Sequence, residues 1–137
     1  MATIHRMCFP DPWGANAFFD YFDKTEWDGV FGIAATEKNI TDKVIGFILG
    51  RTCFDTNDIL TFAIYPDFQN QGLGKCLLRD YLEMVPQTCL LEVATTNKAA
   101  IYLYKKFGFD IILTRRDYYN NADPNKRDAY VMERKAL

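Results

Sequence analysis

Hydrophobic positions come in three short runs, VFGIAAT at 30–36, KVIGFILGRTC at 43–53 and ILTFAIY at 59–65. The polar stretches EKNITDK and DTND separate them. Apolar runs of this length between turn-forming residues read as strands, and three in a row with short connections predict an antiparallel meander. Pro66 ends the third run, because proline cannot donate to a ladder. The pattern then changes period. Over residues 73–85, Leu73, Leu77, Leu78, Tyr81, Leu82 and Val85 recur at helical spacing, with Lys75, Arg79 and Glu83 between them. CLLEVAT at 89–95 is a strand again. NKAAIYLYKKFG at 97–108 is a helix, with Asn97 near its start, Lys105 and Lys106 in its last turn and Gly108 just past its end. FDIILTRR and DAYVMERKA read as two closing strands joined by DYYNNADPNKR. Residues 13–24, with Phe18, Phe19 and Phe22, predict an aromatic-faced helix. The first ten residues are ambiguous, since Pro10 and Pro12 interrupt anything helical there. The order is helix, three strands, helix, strand, helix, two strands. It predicts a mixed α/β fold with one central sheet, and one domain over residues 1–137.

Composition narrows the function classes. The chain is 49% hydrophobic and 25% charged, an ordinary globular balance that can bury a core without disulfides or metals. A net charge of -2 argues against a generic nucleic-acid binder, which needs a basic surface. Cys8, Cys53, Cys76 and Cys89 show no C-x-x-C spacing, and His5 is the only histidine, so a structural zinc site is not expected. The four cysteines read as small apolar residues of strands and helices in a reducing compartment. No run has the length of a signal peptide's core or a membrane span. The expected setting is the cytoplasm, away from membranes.

The candidate chemistry starts at FAIYPDFQNQGLGKCLL, residues 62–78, where a strand, a glycine loop and a helix follow one another. A dinucleotide fingerprint fails there, because Leu77 stands at the third glycine position. A P-loop also fails, with Gln69 for its first glycine and Cys76 for its hydroxyl residue. The pattern that fits is Q-x-x-G-x-G, met by Gln69, Gly72 and Gly74. A helix N-terminus after a strand directs free N–H groups and positive dipole charge at one spot, and glycines let a pyrophosphate approach the backbone. The same glycines also suit a tight turn that binds nothing.

This loop resembles the acyl-coenzyme A loop of the GNAT acetyltransferase superfamily. LEVATTNKAAIYLYKKFGF is similar to that family's next strand and helix. RRDYY, RDAYVM and the FP-x-PW stretch at 9–13 resemble the RimI branch, which acetylates protein N-termini. The likeness runs from Met7 through nearly the whole chain, with its elements in order. It implies a mostly antiparallel mixed sheet flanked by helices. It also implies acetyl-coenzyme A as co-substrate, no metal, and a protein or peptide N-terminus as acceptor, a ribosomal protein foremost.

By the resemblance, Phe62, Ala63 and Ile64 offer backbone groups to the pantetheine arm. Asn70, Gln71, Gly72, Leu73, Gly74 and Lys75 hold the pyrophosphate, and Asn97 touches the cofactor. Asn97 also suits a helix N-cap. Seven residues separate Asn97 from Tyr104, nearly two turns, so both lie on one helix face roughly 10 Å apart along the axis. An α-amino group has a pKa of about 7.7–8.0 and must lose a proton before it attacks. The resemblance makes Glu92 the general base and Tyr104 the general acid, with a backbone N–H near Ile64 facing the oxyanion. Without it, Glu92 reads as an exposed strand residue and Tyr104 as a core aromatic. Cys76 and Cys89 read as buried apolar residues and not as nucleophiles. Tyr118 and Tyr119 line a peptide groove by the resemblance, or are strand-end aromatics.

Two departures qualify the likeness. The chain begins late for the family, so the usual first strand is expected to be missing. VFGIAAT then becomes an edge able to pair with another chain, and monomer and homodimer both stay open. Ala94 stands where the RimI pattern often has arginine, so any contact of that arginine is expected to be lost. Asn70 replaces a common basic residue but leaves the backbone donors. The leading expectation is acetyl transfer to a protein N-terminus. The alternatives are a small amine or lysine side chain as acceptor, and a non-catalytic coenzyme A sensor.

Overall fold

The computed structural model describes residues 1–9, 14, 16, 29–38, 43–119 and 122–137. A short helix α1 (Ala2–Cys8) precedes the strands β1 (Val30–Thr36), β2 (Val44–Cys53) and β3 (Thr56–Ile64). Helix α2 (Leu73–Met84), strand β4 (Thr88–Ala94), helix α3 (Lys98–Lys106) and strands β5 (Asp110–Arg115) and β6 (Ala129–Arg134) complete the order. The six strands form one sheet, β1-β2-β3-β4-β6-β5, antiparallel at every step except β3–β4. The expected mixed, mostly antiparallel sheet is therefore present, with the meander β1-β2-β3 and VFGIAAT at one edge. Among the described residues, no helix is long and apolar enough to cross a membrane.

The chain departs from the sequence reading at three places. The ambiguous N-terminus is helical up to Cys8, and Phe9 is extended at φ -126, ψ 140, as a residue before proline prefers. Ile4 of α1 is buried with Phe47, Leu49 and Ala63. The second hairpin turns at Phe54–Asp55, earlier than DTND suggested, and Phe54 takes φ 52. Asn57 and Asp58 stay in the strand because they are paired there. Arg51 bonds Asp58 at 2.9 Å, and buried Asn57 donates to Thr52 Oγ1 at 3.0 Å. Lastly, of the cysteines only Cys89 is buried, while Cys53 and Cys76 are exposed. Cys76 lies on the outward side of the first turn of α2, so its expected burial is corrected. The predicted aromatic helix at 13–24 and residues 39–42 of the first turn lie outside the described residues, although Glu37 N–H bonds Lys43 O across that turn at 3.1 Å.

Two features of this fold position the site. The first is the anchoring of α2. Its Tyr81 is fully buried and donates to Asn57 Oδ1 at 2.7 Å, tying the helix to β3. Gly50 of β2 leaves that hydroxyl its place, since an added Cβ would collide with it. Leu77, Leu78 and Leu82 of α2 and Ile101 of α3 pack with Ile48, Leu91 and Met132 into the main core, so both helices cover one face of the sheet. The second feature is a parting of strands. β3 pairs with β4 only from Thr56↔Thr88 to Ile59↔Leu91. At that point the β2–β3 ladder also shifts register, from Gly50↔Ile59 to Leu49↔Thr61, which leaves Leu60 as a bulge. A bulge bends and twists its strand. Beyond it, residues 60–64 and 92–94 share no ladder.

Candidate active site

The glycine loop connects the free end of β3 to α2. Asn70 has φ 59 and Gly72 φ 83, two left-handed residues of the kind that turn successive N–H groups toward one concavity. Gly72 caps α2 without a side-chain bond, and the first internal helix bond is Cys76 N–H to Gly72 O at 3.1 Å. The N–H groups of Leu73, Gly74 and Lys75 therefore find no acceptor among the described residues, as the first turn of a helix requires. Gly72 is demanded by its φ. Gly74 is not: a Cβ there would meet Phe62, Ile64 and Leu103 at ordinary contact distances of 3.5–3.8 Å. Glycine in the first turn costs helix stability relative to alanine, so the fold alone does not select it. Open backbone donors, no acidic side chain in the turn and no Cβ suit a pyrophosphate.

Gln69 and Gln71 act on the loop itself. Gln69 Nε2 donates to Ile64 O at 3.0 Å, and Gln71 Nε2 donates to Asp67 O at 3.1 Å. The first residue of Q-x-x-G-x-G thus latches the turn to the end of its strand. Tyr65 N–H bonds Ile45 O at 2.7 Å, so the odd-numbered residues of this stretch face β2. Alternation then turns the backbone N–H groups of Phe62 and Ile64 toward the parting from β4. Ala63 spends its own backbone groups on β2, so it lends shape and not hydrogen bonds to that edge.

Glu92 and Tyr104 approach the parting from opposite faces. Leu91 and Val93 point into the helix-covered core, so Glu92 points to the other face. Its side chain is 27% exposed, and Oε1 meets Arg115 Nη1 at 2.9 Å. The expected loss of a guanidinium at Ala94 is thus offset by one from β5. Sequence reasoning missed Arg115. RRDYY places it at a strand end, but only the sheet order, with β6 between β4 and β5, brings it to Glu92. Tyr104 lies on the helix-covered face at 7% exposure, its ring against Phe62 at 6.4 Å and Phe109 at 5.8 Å. Its hydroxyl has no hydrogen-bond partner among the described residues. Burial, with Tyr119 nearby, raises its pKa, and the phenol keeps its proton at neutral pH.

Asn97 caps α3: its side-chain oxygen accepts from Ala100 N–H at 3.2 Å. The amide nitrogen is left for other use. Tyr118 and Tyr119 follow β5 and meet edge to face at 4.9 Å. The Tyr118 ring lies 5.5 Å from the Arg115 guanidinium carbon. Burial, then the hydrogen bond and charge of Glu92, push the Tyr118 phenol up to about 12. Burial and Glu92 push Tyr119 up to about 12 as well. Tyr118 therefore stands beside Glu92, and Tyr119 lies close enough to feel its charge.

Residues 1–109 match the acetyltransferase (GNAT) family. Over 94 residues the chain is 35% identical to the ribosomal protein bS18-alanine N-acetyltransferase of Escherichia coli, a stretch that covers 66% of this chain and 63% of that protein. The aligned part thus spans less than two thirds of that relative. Among solved structures, the crystal structure of the ribosomal-protein-S18-alanine N-acetyltransferase from Escherichia coli superposes with a TM-score of 0.83 at 28% identity, covering 97% of this chain and 83% of that one. An Arabidopsis thaliana protein in complex with the bisubstrate analogue CoA-Ac-MVNAL superposes at 0.78 with 29% identity, covering 98% of this chain and 89% of that one.

Proposed function

Since this chain belongs to the acetyltransferase (GNAT) family, we propose that it moves an acetyl group from acetyl-coenzyme A to the N-terminal α-amino group of a protein. The acceptor class is a ribosomal protein, by kinship with the bS18-alanine enzyme. Residues 1–137 act as one catalytic domain, and four free cysteines suit a reducing cytoplasm. The observation that carries the reading is the pairing of two features at one place. Unspent N–H groups open α2, and β3 and β4 part beside them, with a carboxylate on one face and an uncharged phenol on the other.

Acetyl-coenzyme A supplies an acetyl thioester. The Leu73–Lys75 backbone binds its pyrophosphate, and the free edge at Phe62 and Ile64 aligns its arm, with Asn97 beside it. Glu92, directly or through water, takes a proton from the acceptor ammonium. The amine nitrogen then bonds the carbonyl carbon while an Ile64 N–H faces the developing oxyanion. As the carbon–sulfur bond breaks, Tyr104 gives its proton to the departing sulfur. The second amine proton leaves to solvent, and solvent exchange restores Tyr104 and Glu92. No acyl-cysteine is required.

A thiol-release assay with acetyl-coenzyme A and a panel of acceptors tests the reading. Turnover is expected on peptides with a free N-terminus and is expected to vanish when that terminus is blocked. Preference for polyamines or lysine side chains would move the acceptor class. Tight acetyl-coenzyme A binding without turnover on any acceptor would leave a sensor.

A further inference from the structure

Arg115 comes to Glu92 from two strands away, and the sheet register shows how. Arg115 pairs with Ala129 on β6, and Ala129 pairs with Ala94 on β4. The three form one row on one face, and alternation puts Glu92 on that face too. The outer strands of such a row lie about 10 Å apart. Nothing longer than a methyl group stands at Ala129 or Ala94 to block an arginine that crosses this distance. The result is the 2.9 Å contact to Glu92 Oε1, with Tyr118 beside both partners. Exposed ion pairs contribute little to folding, so stability is a weak reason for two alanines, an arginine and a tyrosine around one carboxylate.

We propose that Arg115 is a positioning residue for deprotonation of the acceptor. By holding Oε1, with the Tyr118 hydroxyl also at the carboxylate, it sets Glu92 at the parting of β3 and β4, where the acceptor amine or its water meets it. The proposal rests on the acetyl-transfer reading above. It also gives the Ala94–Ala129 row a purpose, as clearance for the guanidinium. Positioning of this kind is sensitive: a displacement of about 1 Å at a reacting group can cost roughly a hundredfold in rate.

The test is a double-mutant cycle on the whole chain with an N-terminal peptide and acetyl-coenzyme A. Arg115→Met is expected to lower kcat by about ten- to a hundredfold with the KM for acetyl-coenzyme A unchanged. Arg115→Lys, which keeps the charge, should recover part of that loss, and Arg116→Met should lose nothing. In a Glu92→Gln background, Arg115→Met should cost no further rate. The same loss in both backgrounds would overturn the positioning role and leave the reaction intact. A Glu92→Gln enzyme with full turnover would overturn the base assignment, and the role of Arg115 with it. A readout independent of turnover comes from urea unfolding of the same four proteins. There the pair should couple by a factor of about two to five in the unfolding constant, and additivity would show that the contact does not persist in solution.

Discussion

At the scale of single residues, Gly74 offers the sharpest separation of binding from stability. An aspartate there places negative charge at the positive end of α2, which favours the helix, but against the site where a pyrophosphate must come. Gly74→Asp should leave the melting temperature unchanged or higher while calorimetry finds no acetyl-coenzyme A binding. Retained affinity would remove the loop from the cofactor site. Tyr104→Phe keeps the ring between Phe62 and Phe109 and loses only the hydroxyl. Turnover should fall by about a hundredfold or more, the scale of a general acid, with binding of acetyl-coenzyme A nearly constant. Parallel losses in both would make Tyr104 a packing residue.

At the scale of elements, α3 is defined at both ends by readable signals. Asn97 caps its start, and Gly108 at φ 85 follows its end. Removing the cap with Asn97→Ala should destabilise the protein by about 1 kcal/mol in urea unfolding, whereas Asn97→Ser should keep most of that stability. If the amide also serves the cofactor, both variants lose affinity for acetyl-coenzyme A. If only the alanine variant changes anything, Asn97 is a cap and no more. The hairpin of β2 and β3 shows the opposite case. Its polar residues Asn57 and Asp58 look like turn chemistry in one dimension. Cross-strand partners, Thr52, Tyr81 and Arg51, keep them in the ladder instead.

For the molecule as a whole, buried phenols predict an alkaline limit. Burial raises Tyr81 and Tyr104, and burial with Glu92 raises Tyr119. Below about pH 10, folded and unfolded chains both hold these protons. Above it the unfolded chain releases them first, so stability is complete below about pH 10 and declines as pH rises toward the folded values. Urea midpoints should fall across that range, and tyrosinate absorbance should rise in two phases, the second coincident with unfolding. A single phase complete before unfolding would contradict the burial of these rings.

The order of strands and helices, the helix-opening glycine loop and the capped α3 were determined locally. Each depends on neighbours a few residues apart, and periodicity, capping and glycine conformation act over that range. Glu92 and Tyr104 could be named from the sequence, but their placement on opposite faces of one sheet could not. That needed the β3–β4 parting, which arises where a bulge at Leu60 meets the end of a parallel ladder. Arg115 is the clearest case of what tertiary structure alone decided. It lies 23 positions from Glu92 in the chain, and the two meet only because β6 inserts between β4 and β5 and carries an alanine opposite Arg115. Strand insertion is a long-range choice made by burial across the whole sheet, and no local window of the chain records it.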